Sequence, residues 1–169
     1  TFAFLDTPGH ALHHYCIWDD AHRAVFSGDT FGLSYRELDT EAGAFIFPTT
    51  TPTQFDPDAA HASYDRLAAL DPQVFYLTHY SRVDYTPSLL DDLHRRLDAF
   101  VAIAKKNAGN ADRRDAMAAD LKQFLFAELR DHGYDGSADR CEAIVGPDAE
   151  LNAMGMDVWL ARLEKQAAR

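Results

Sequence analysis

The sequence is short of positive charge. Against 27 Asp and Glu stand 16 Lys and Arg, a formal net charge of −11. A nucleic-acid groove or an anionic lipid surface needs a basic face, so both partners are excluded as expectations. Cysteine is scarce too: Cys16 and Cys141 are the whole complement, with no Cys-x-x-Cys pairing. That suits a reducing compartment, and a cytoplasmic location is expected. No apolar run is long enough to cross a bilayer, and no secretory leader is visible. No serine sits in a nucleophile elbow. Ser27, Ser63 and Ser81 all lack the flanking glycines, which argues against a serine hydrolase.

What is present suits a packed fold. Nearly half of the 169 residues are apolar, enough for a sizeable core. The first residues, Thr1 to Leu5, enter at once on an apolar stretch that reads as a strand covered on both faces. A start of this kind reads as a cut inside a domain. Tyr15 to Trp18 and Ala24 to Phe26 read as two further strands, joined through Asp19-Asp20-Ala21-His22. Thr49 to Phe55 reads as loop. Asp56-Pro57 then opens a helix that Asp71-Pro72 closes, and Val74 to Leu77 follows as a buried strand.

The second half reads as three helices. The first is capped by Thr86-Pro87 and ends at Gly109. The second starts near Ala111 or Asp112 and ends at Gly133. The third is expected from about Pro147 to Gln166, burying Leu151, Met154, Val158, Trp159 and Leu163. The expected organisation is therefore residues 1–85 as a sheet-bearing unit and 86–169 as a helical extension.

Three donors stand out by position. His10 follows Thr7-Pro8-Gly9, Asp29 follows Ser27-Gly28, and His79 follows Thr78, each just past an apolar strand. Ends of neighbouring strands lie side by side, so an imidazole, a carboxylate and a second imidazole can converge. Such a set suits Zn²⁺, Mn²⁺ or Fe²⁺. His13 and His14 point to opposite sides of an extended chain, so one at most faces the same place. His22 reads as an exposed turn residue, and His61, His94 and His132 as surface residues of helices. Asp91-Asp92 with Arg95-Arg96 reads as a solvated helix face. Cys16 reads as inert packing.

Thr7-Pro8-Gly9-His10, Phe26-Ser27-Gly28-Asp29-Thr30 and Tyr76-Leu77-Thr78-His79, in this order and spacing, resemble three later metal-ligand motifs of the metallo-β-lactamase superfamily. The resemblance is nearer to its glyoxalase II-like branch, with the His13-His14 pair and Leu151-Asn152-Ala153-Met154-Gly155 as further points of likeness. It implies an α/β fold: the C-terminal half of an αββα sandwich, one mixed sheet with flanking helices, plus a helical extension.

The same resemblance implies two divalent metals, zinc first, with iron or manganese as alternatives. His10 would hold one metal, His79 the other, and Asp29 would bridge. It implies hydrolysis of an ester or thioester small molecule by a metal-activated hydroxide. The alternatives are an iron-dependent relative of the persulfide dioxygenases and a non-catalytic half-domain used for assembly.

The family's His-x-His-x-Asp-His motif is absent from these 169 residues. Each metal would then draw two ligands at most from this chain. The expectations are weak or absent metal binding and no activity for the chain alone. It would associate with a polypeptide carrying the missing N-terminal half, or with a second copy of itself.

Overall fold

Side chains alternate across a strand, and the first strands show what that does here. In the computed structural model, which describes residues 1–50, 54–79 and 82–168, strand β1 (Phe2–Asp6) pairs antiparallel with β2 (Tyr15–Asp19). Strand β2 pairs antiparallel with β3 (Ala24–Gly28). Strand β3 runs parallel to β4 (Val74–Leu77), and β4 is antiparallel to β5 (Arg82–Asp84). The five lie in the order β1-β2-β3-β4-β5. The α/β expectation holds, with one mixed sheet followed by helices. Strand β5 and a 3₁₀ turn at Arg36–Leu38 are additions that the apolar pattern did not announce.

One sheet face carries Cys16, Trp18, Val25, Phe75, Leu77 and Val83, all buried beneath the helices. Phe75 stacks on Phe31 with ring centroids 3.7 Å apart. The other face carries Phe2, Phe4, Tyr15, Phe26 and Tyr76, which are 62, 70, 57, 44 and 37% exposed. The registers Phe4↔Ile17, Ile17↔Phe26 and Phe26↔Tyr76 place them in one layer. The expectation that β1 is covered on both faces is therefore corrected. It is an edge strand with Ala3 and Leu5 half-buried inward and Phe2 and Phe4 outward.

Helix α1 (Pro57–Ala68) starts as expected, with the Asp56 carboxylate accepting from the amide of Ala59 at 3.0 Å. The chain after α1 turns at Asp71, which takes a left-handed φ of 54°. Of the Thr49 to Phe55 loop, Thr51 to Thr53 lie outside the described residues, as does Ser81. Helix α2 (Pro87–Asn107) is capped by Thr86, whose side chain accepts from Leu89 N. Its buried stripe is Leu89, Leu93, Leu97, Phe100 and Ala104, joined by Arg96. Arg96 corrects the reading of Arg95-Arg96 as a solvated face, because only 3% of its side chain is exposed.

Helix α3 (Arg113–Asp131) buries Met117, Leu121, Leu125 and Leu129 and turns at Gly133, φ 90°. Its main neighbour is α4, with α2 second.

Helix α4 (Ala138–Ala167) departs most from expectation. Pro147 does not begin it. Ser137 caps it instead, accepting from Arg140 N at 3.2 Å, and the helix runs on through the proline. An interior proline costs about 3 kcal/mol, which packing against α3 offsets. The buried face is also different. Leu151, Met154, Val158 and Leu163 are 54, 39, 39 and 40% exposed, while Val145, Ala149, Asn152, Ala153, Met156 and Leu160 are buried beside Trp159. Ala149 and Ala153 let the α4 backbone approach its neighbours closely; the bulkier stripe faces outward. One buried cluster runs from Cys16 to Leu160 and links the sheet to all four helices. Among the described residues, no helix is long and apolar enough to cross a membrane.

Both cysteines are buried and unpaired. The Cys16 thiol sits 3.1 Å from Thr7 Oγ1 and donates to the Ser27 carbonyl at 3.3 Å. Burial pushes its pKa up to about 11, against smaller opposing hydrogen bonds from Thr7 and Thr30. Thiolate, not thiol, reacts with alkylating and disulfide reagents. Native protein at pH 8 is therefore expected to hide both thiols from Ellman's reagent, and both should titrate at once in denaturant. Rapid labelling of native Cys16 would contradict the packing described.

Candidate metal centre

Strands β1, β3 and β4 all run in one direction, since β1 and β3 flank the antiparallel β2 and β4 is parallel to β3. Their C-terminal ends therefore share one edge of the sheet, and His10, Asp29 and His79 follow those ends. Thr78 N donates to Gly28 O at 3.3 Å, which zips the end of β4 to the end of β3 and sets His79 beside Asp29.

The three donors form a row with the carboxylate in the middle. Asp29 Oδ1 lies 3.2 Å from His79 Nε2, and Asp29 Oδ2 lies 3.9 Å from His10 Nε2. His10 Nδ1 lies 3.1 Å from the Thr49 carbonyl. A carbonyl only accepts, so Nδ1 carries the hydrogen and Nε2 is the nitrogen turned to Asp29. The His10 and Asp29 side chains are mostly covered, and His79 is about half exposed.

His14 stands behind Asp29. The Asp29 amide donates to His14 Nε2 at 3.2 Å, so that nitrogen carries no hydrogen. The hydrogen is then on Nδ1, which donates to Thr30 Oγ1 at 2.8 Å. Burial holds the His14 pKa below the ordinary histidine value, helped by the nearby His10, with Asp29 opposing. A neutral imidazole thus fixes the turn that carries Asp29. His13 is exposed and makes no such contact among the described residues.

Two glycines make these turns possible. Gly28 has φ +53°, and a Cβ there would lie 2.6 Å from the His14 ring. Gly9 has φ +137°, and its Cβ would lie 2.4 Å from Ala60 Cα. The Pro8-Gly9 turn is fastened to α1 by Ser63 Oγ donating to Pro8 O at 2.6 Å and by Asp56 N donating to Gly9 O at 2.8 Å. Gly28→Ala is expected to cost about 1–3 kcal/mol for the forced left-handed φ, with His14 displaced. Urea unfolding measures the first effect, and the His14 imidazole resonances report the second. An unchanged midpoint would remove the role given to this turn.

Some residues near the site carried no local signal. Asn152 on α4 accepts from Thr50 N at 2.7 Å, and Thr50 Oγ1 donates to Asn152 O at 3.0 Å. This anchors the segment whose Thr49 carbonyl orients His10. Asp148, one turn earlier, accepts from the Tyr35 hydroxyl at 2.9 Å. Burial pushes the Asp148 pKa up, against the Tyr35 hydrogen bond and the attraction of His79. Helix α4 thus supports the sheet edge from 102 positions away in sequence. The only hint was Leu151 to Gly155, a likeness of sequence with no mechanism attached.

Comparison with known families bears on the same stretch. Residues 1–79 match the metallo-beta-lactamase superfamily. The matched stretch contains all three donors. Among solved structures, an archaeal metallo-beta-lactamase superfamily protein from Sulfolobus tokodaii is 27% identical, over 59% of this chain and 33% of that one, with a TM-score of 0.44. A metallo-beta-lactamase family protein from Thermus thermophilus is 20% identical, over 98% of this chain and 45% of that one, with a TM-score of 0.42. The chain thus spans less than half the length of these two relatives. No curated protein matches it.

Two imidazoles flanking a carboxylate suit a divalent transition metal by their chemistry, since a carboxylate with one oxygen toward each imidazole can bridge two ions. The set falls short in number. Among the described residues, no three or more His, Cys, Asp or Glu close round one point, so each end of the row offers an imidazole and one carboxylate oxygen. Zinc takes four ligands, or three and a water.

Proposed function

We propose that this chain is the part of a metal-dependent hydrolase that holds the bridging carboxylate, acting on an ester or thioester once the remaining donors are supplied from outside these 169 residues. The observation that carries the reading is Asp29, with one oxygen toward His10 and the other toward His79. A pair of divalent metals, zinc first, would polarise the substrate carbonyl and lower the pKa of water toward 7.

The chain's own residues do the positioning. His10 offers Nε2 to one metal because Thr49 holds Nδ1. His79 offers Nε2 to the other, and Asp29 spans the two. His14 keeps the Asp29 backbone in place without adding charge. The aromatic sheet face of Phe2, Phe4, Tyr15, Phe26 and Tyr76 is where the segment that supplies those donors would pack. A half-domain whose only task is assembly is the second reading, and this same exposed face favours it. An iron-dependent relative of the persulfide dioxygenases is the remaining alternative, which the identity of the bound metal distinguishes.

The test is expression of this chain together with the segment encoded immediately upstream, fused or as a separate polypeptide. The pair is expected to take up two zinc ions per chain and hydrolyse a simple thioester, and Asp29→Asn should abolish both. The chain alone should bind zinc weakly. Tight uptake of two zinc ions by the chain alone would overturn the shortage of donors. Zinc uptake indifferent to Asp29→Asn would overturn the centre, and iron rather than zinc in the purified pair would favour the oxidative relative.

A further inference from the structure

A group of imidazoles and carboxylates apart from the row at the sheet edge joins α1 to α2. His61 and Asp65 stand one turn apart on α1, and His94 and Asp98 one turn apart on α2. The four cross over. His61 Nε2 lies 3.1 Å from Asp98 Oδ1, and His94 Nε2 lies 3.1 Å from Asp65 Oδ1. His61 Nδ1 and His94 Nδ1 face each other at 2.5 Å. The ring planes differ by 2° with centroids 4.8 Å apart. That centroid separation is the nitrogen separation plus two ring radii, so the rings meet edge to edge in one plane. Tyr64, buried on α1, sets its ring at 73° and 72° to them. This corrects the expectation that both histidines are plain surface residues: only 26% and 24% of their side chains are exposed.

The order is carboxylate, imidazole, imidazole, carboxylate. A carboxylate only accepts, so each outer Nε2 carries a hydrogen. The gap between the inner nitrogens has room for one hydrogen and no more. With none, two lone pairs would face each other; with two, the hydrogens would collide, since each stands about 1 Å out from its nitrogen. Three hydrogens on the four ring nitrogens give the pair a single positive charge between the two carboxylates. We propose that His61 and His94 form a pH-sensitive clasp between α1 and α2, closed while the two imidazoles share one proton and open when they hold two or none.

Two separate imidazoles in an unfolded chain hold two shared-site protons in acid and none in base, whereas the closed clasp holds one. In acid the unfolded chain therefore binds more protons, and stability falls as pH falls. In base the clasp binds more, and stability falls as pH rises. Its contribution peaks between the two. The other charged groups around it are Asp56 and Asp58 at the start of α1, Lys105 on α2 and Arg162 on α4, which border the same cleft, and Asp91 one turn before His94. None is an imidazole, and carboxylates, lysine and arginine keep their charge over the range in which imidazoles change theirs. His61 lies two positions before Ser63, which holds the Pro8 carbonyl, so the clasp braces the stretch of α1 that fastens the turn leading to His10.

The clasp shares no residue with the row at the sheet edge and needs no metal, so its test is independent of the hydrolase reading. Wild-type, His61→Gln and His94→Gln chains are unfolded with urea at steps from about pH 5 to 9, a span that covers the imidazole range. Glutamine keeps a hydrogen-bonding side chain but takes up no proton. The wild-type advantage is expected to reach roughly tenfold in the folding equilibrium constant, the worth of one charge-assisted hydrogen bond at a partly exposed place. It should shrink on both sides of its maximum. The double change should cost little more than either single one, because each removes the same shared proton. Ring ¹⁵N spectra of the wild-type chain should show both Nε2 atoms protonated across the span. The two Nδ1 atoms should share one hydrogen at mid-range and lose that signal at either end. Where a variant fails to fold, these spectra decide. Two imidazoles that titrate independently of each other, or a wild-type advantage that stays flat with pH, would overturn the clasp.

Discussion

Replacing Arg96 with alanine is expected to destabilise the fold by about 3–5 kcal/mol, a large part of the roughly 5–15 kcal/mol that holds a domain together. The guanidinium is enclosed on every side. Its carbon stands 4.1 Å from the centroid of the Phe45 ring, Nη1 donates to Ile46 O at 2.5 Å, and Nε donates to Glu128 at 2.9 Å. Alanine leaves the Ile46 carbonyl buried without its donor and opens a cavity against Phe45. It also takes from Glu128 the partner on its inner side, leaving Arg95 at 2.6 Å on the outer one. Arg96→Lys should recover only part of the loss, because an ammonium cannot make the forked contact.

Glu128 adds a pH dependence. Burial works to raise its pKa, but the two guanidiniums outweigh burial and hold it below the ordinary glutamate value. A depressed carboxyl stabilises the fold above its unfolded pKa, and that contribution is lost as pH falls through the folded one. Wild-type stability should therefore drop below about pH 4.3, and the Arg96→Ala chain should show less of that drop. Urea midpoints across pH 3 to 7 measure both effects. A change under about 0.5 kcal/mol on Arg96→Ala, the level of an ordinary surface substitution, would show the enclosure to be energetically empty.

The contrast between Arg96 and the sheet-edge donors shows what can be read from the chain and why. His10, Asp29 and His79 are visible because each sits in a local signature: a strand that must end, then a turn whose glycine or threonine is set by backbone chemistry within three or four residues. Parallel strands then carry the three to one edge with no further information. The Asp56 and Thr86 caps are legible for the same reason. Arg96, His61 and His94 read as surface because their partners, Glu128, Ile46 O, Asp98 and Asp65, lie 29 to 50 positions away. A charged side chain on a helix is solvated by default, and only a distant partner reverses that.

Helix α4 fails differently. Two apolar stripes run along it, and the bulkier one, through Leu151, Met154 and Val158, wins on hydrophobicity. Packing chooses the other, where Ala149 and Ala153 allow close approach and Asn152 can reach Thr50. Pro147 reads as a first-turn proline because proline is favoured at the start of a helix and disfavoured inside one, whereas Ser137 has already capped the helix.

The sheet's outer face leads to the other large expected effect, which rests on the proposed pairing. Phe4 and Phe26 project from strands β1 and β3 and are 70% and 44% exposed in this chain. Phe26 stacks on Tyr76 at 5.0 Å and Phe4 leans on Tyr15 at 6.0 Å, so the layer is already organised. Burying an aromatic side chain against a second sheet yields about 1.5–3 kcal/mol each. A lysine at both positions removes that gain and would place two ammonium groups in a closed interface. The Phe4→Lys, Phe26→Lys chain is expected to keep its own fold, since neither side chain packs inward. Its affinity for the polypeptide that completes the site should fall at least about 100-fold, at a factor of roughly ten per 1.4 kcal/mol, and two-zinc uptake should disappear with it. Sedimentation velocity of the mixture separates the two results. If the double variant still pairs and still takes up zinc as the wild-type chain does, the second polypeptide does not pack on this face and its donors must approach the row of His10, Asp29 and His79 from elsewhere.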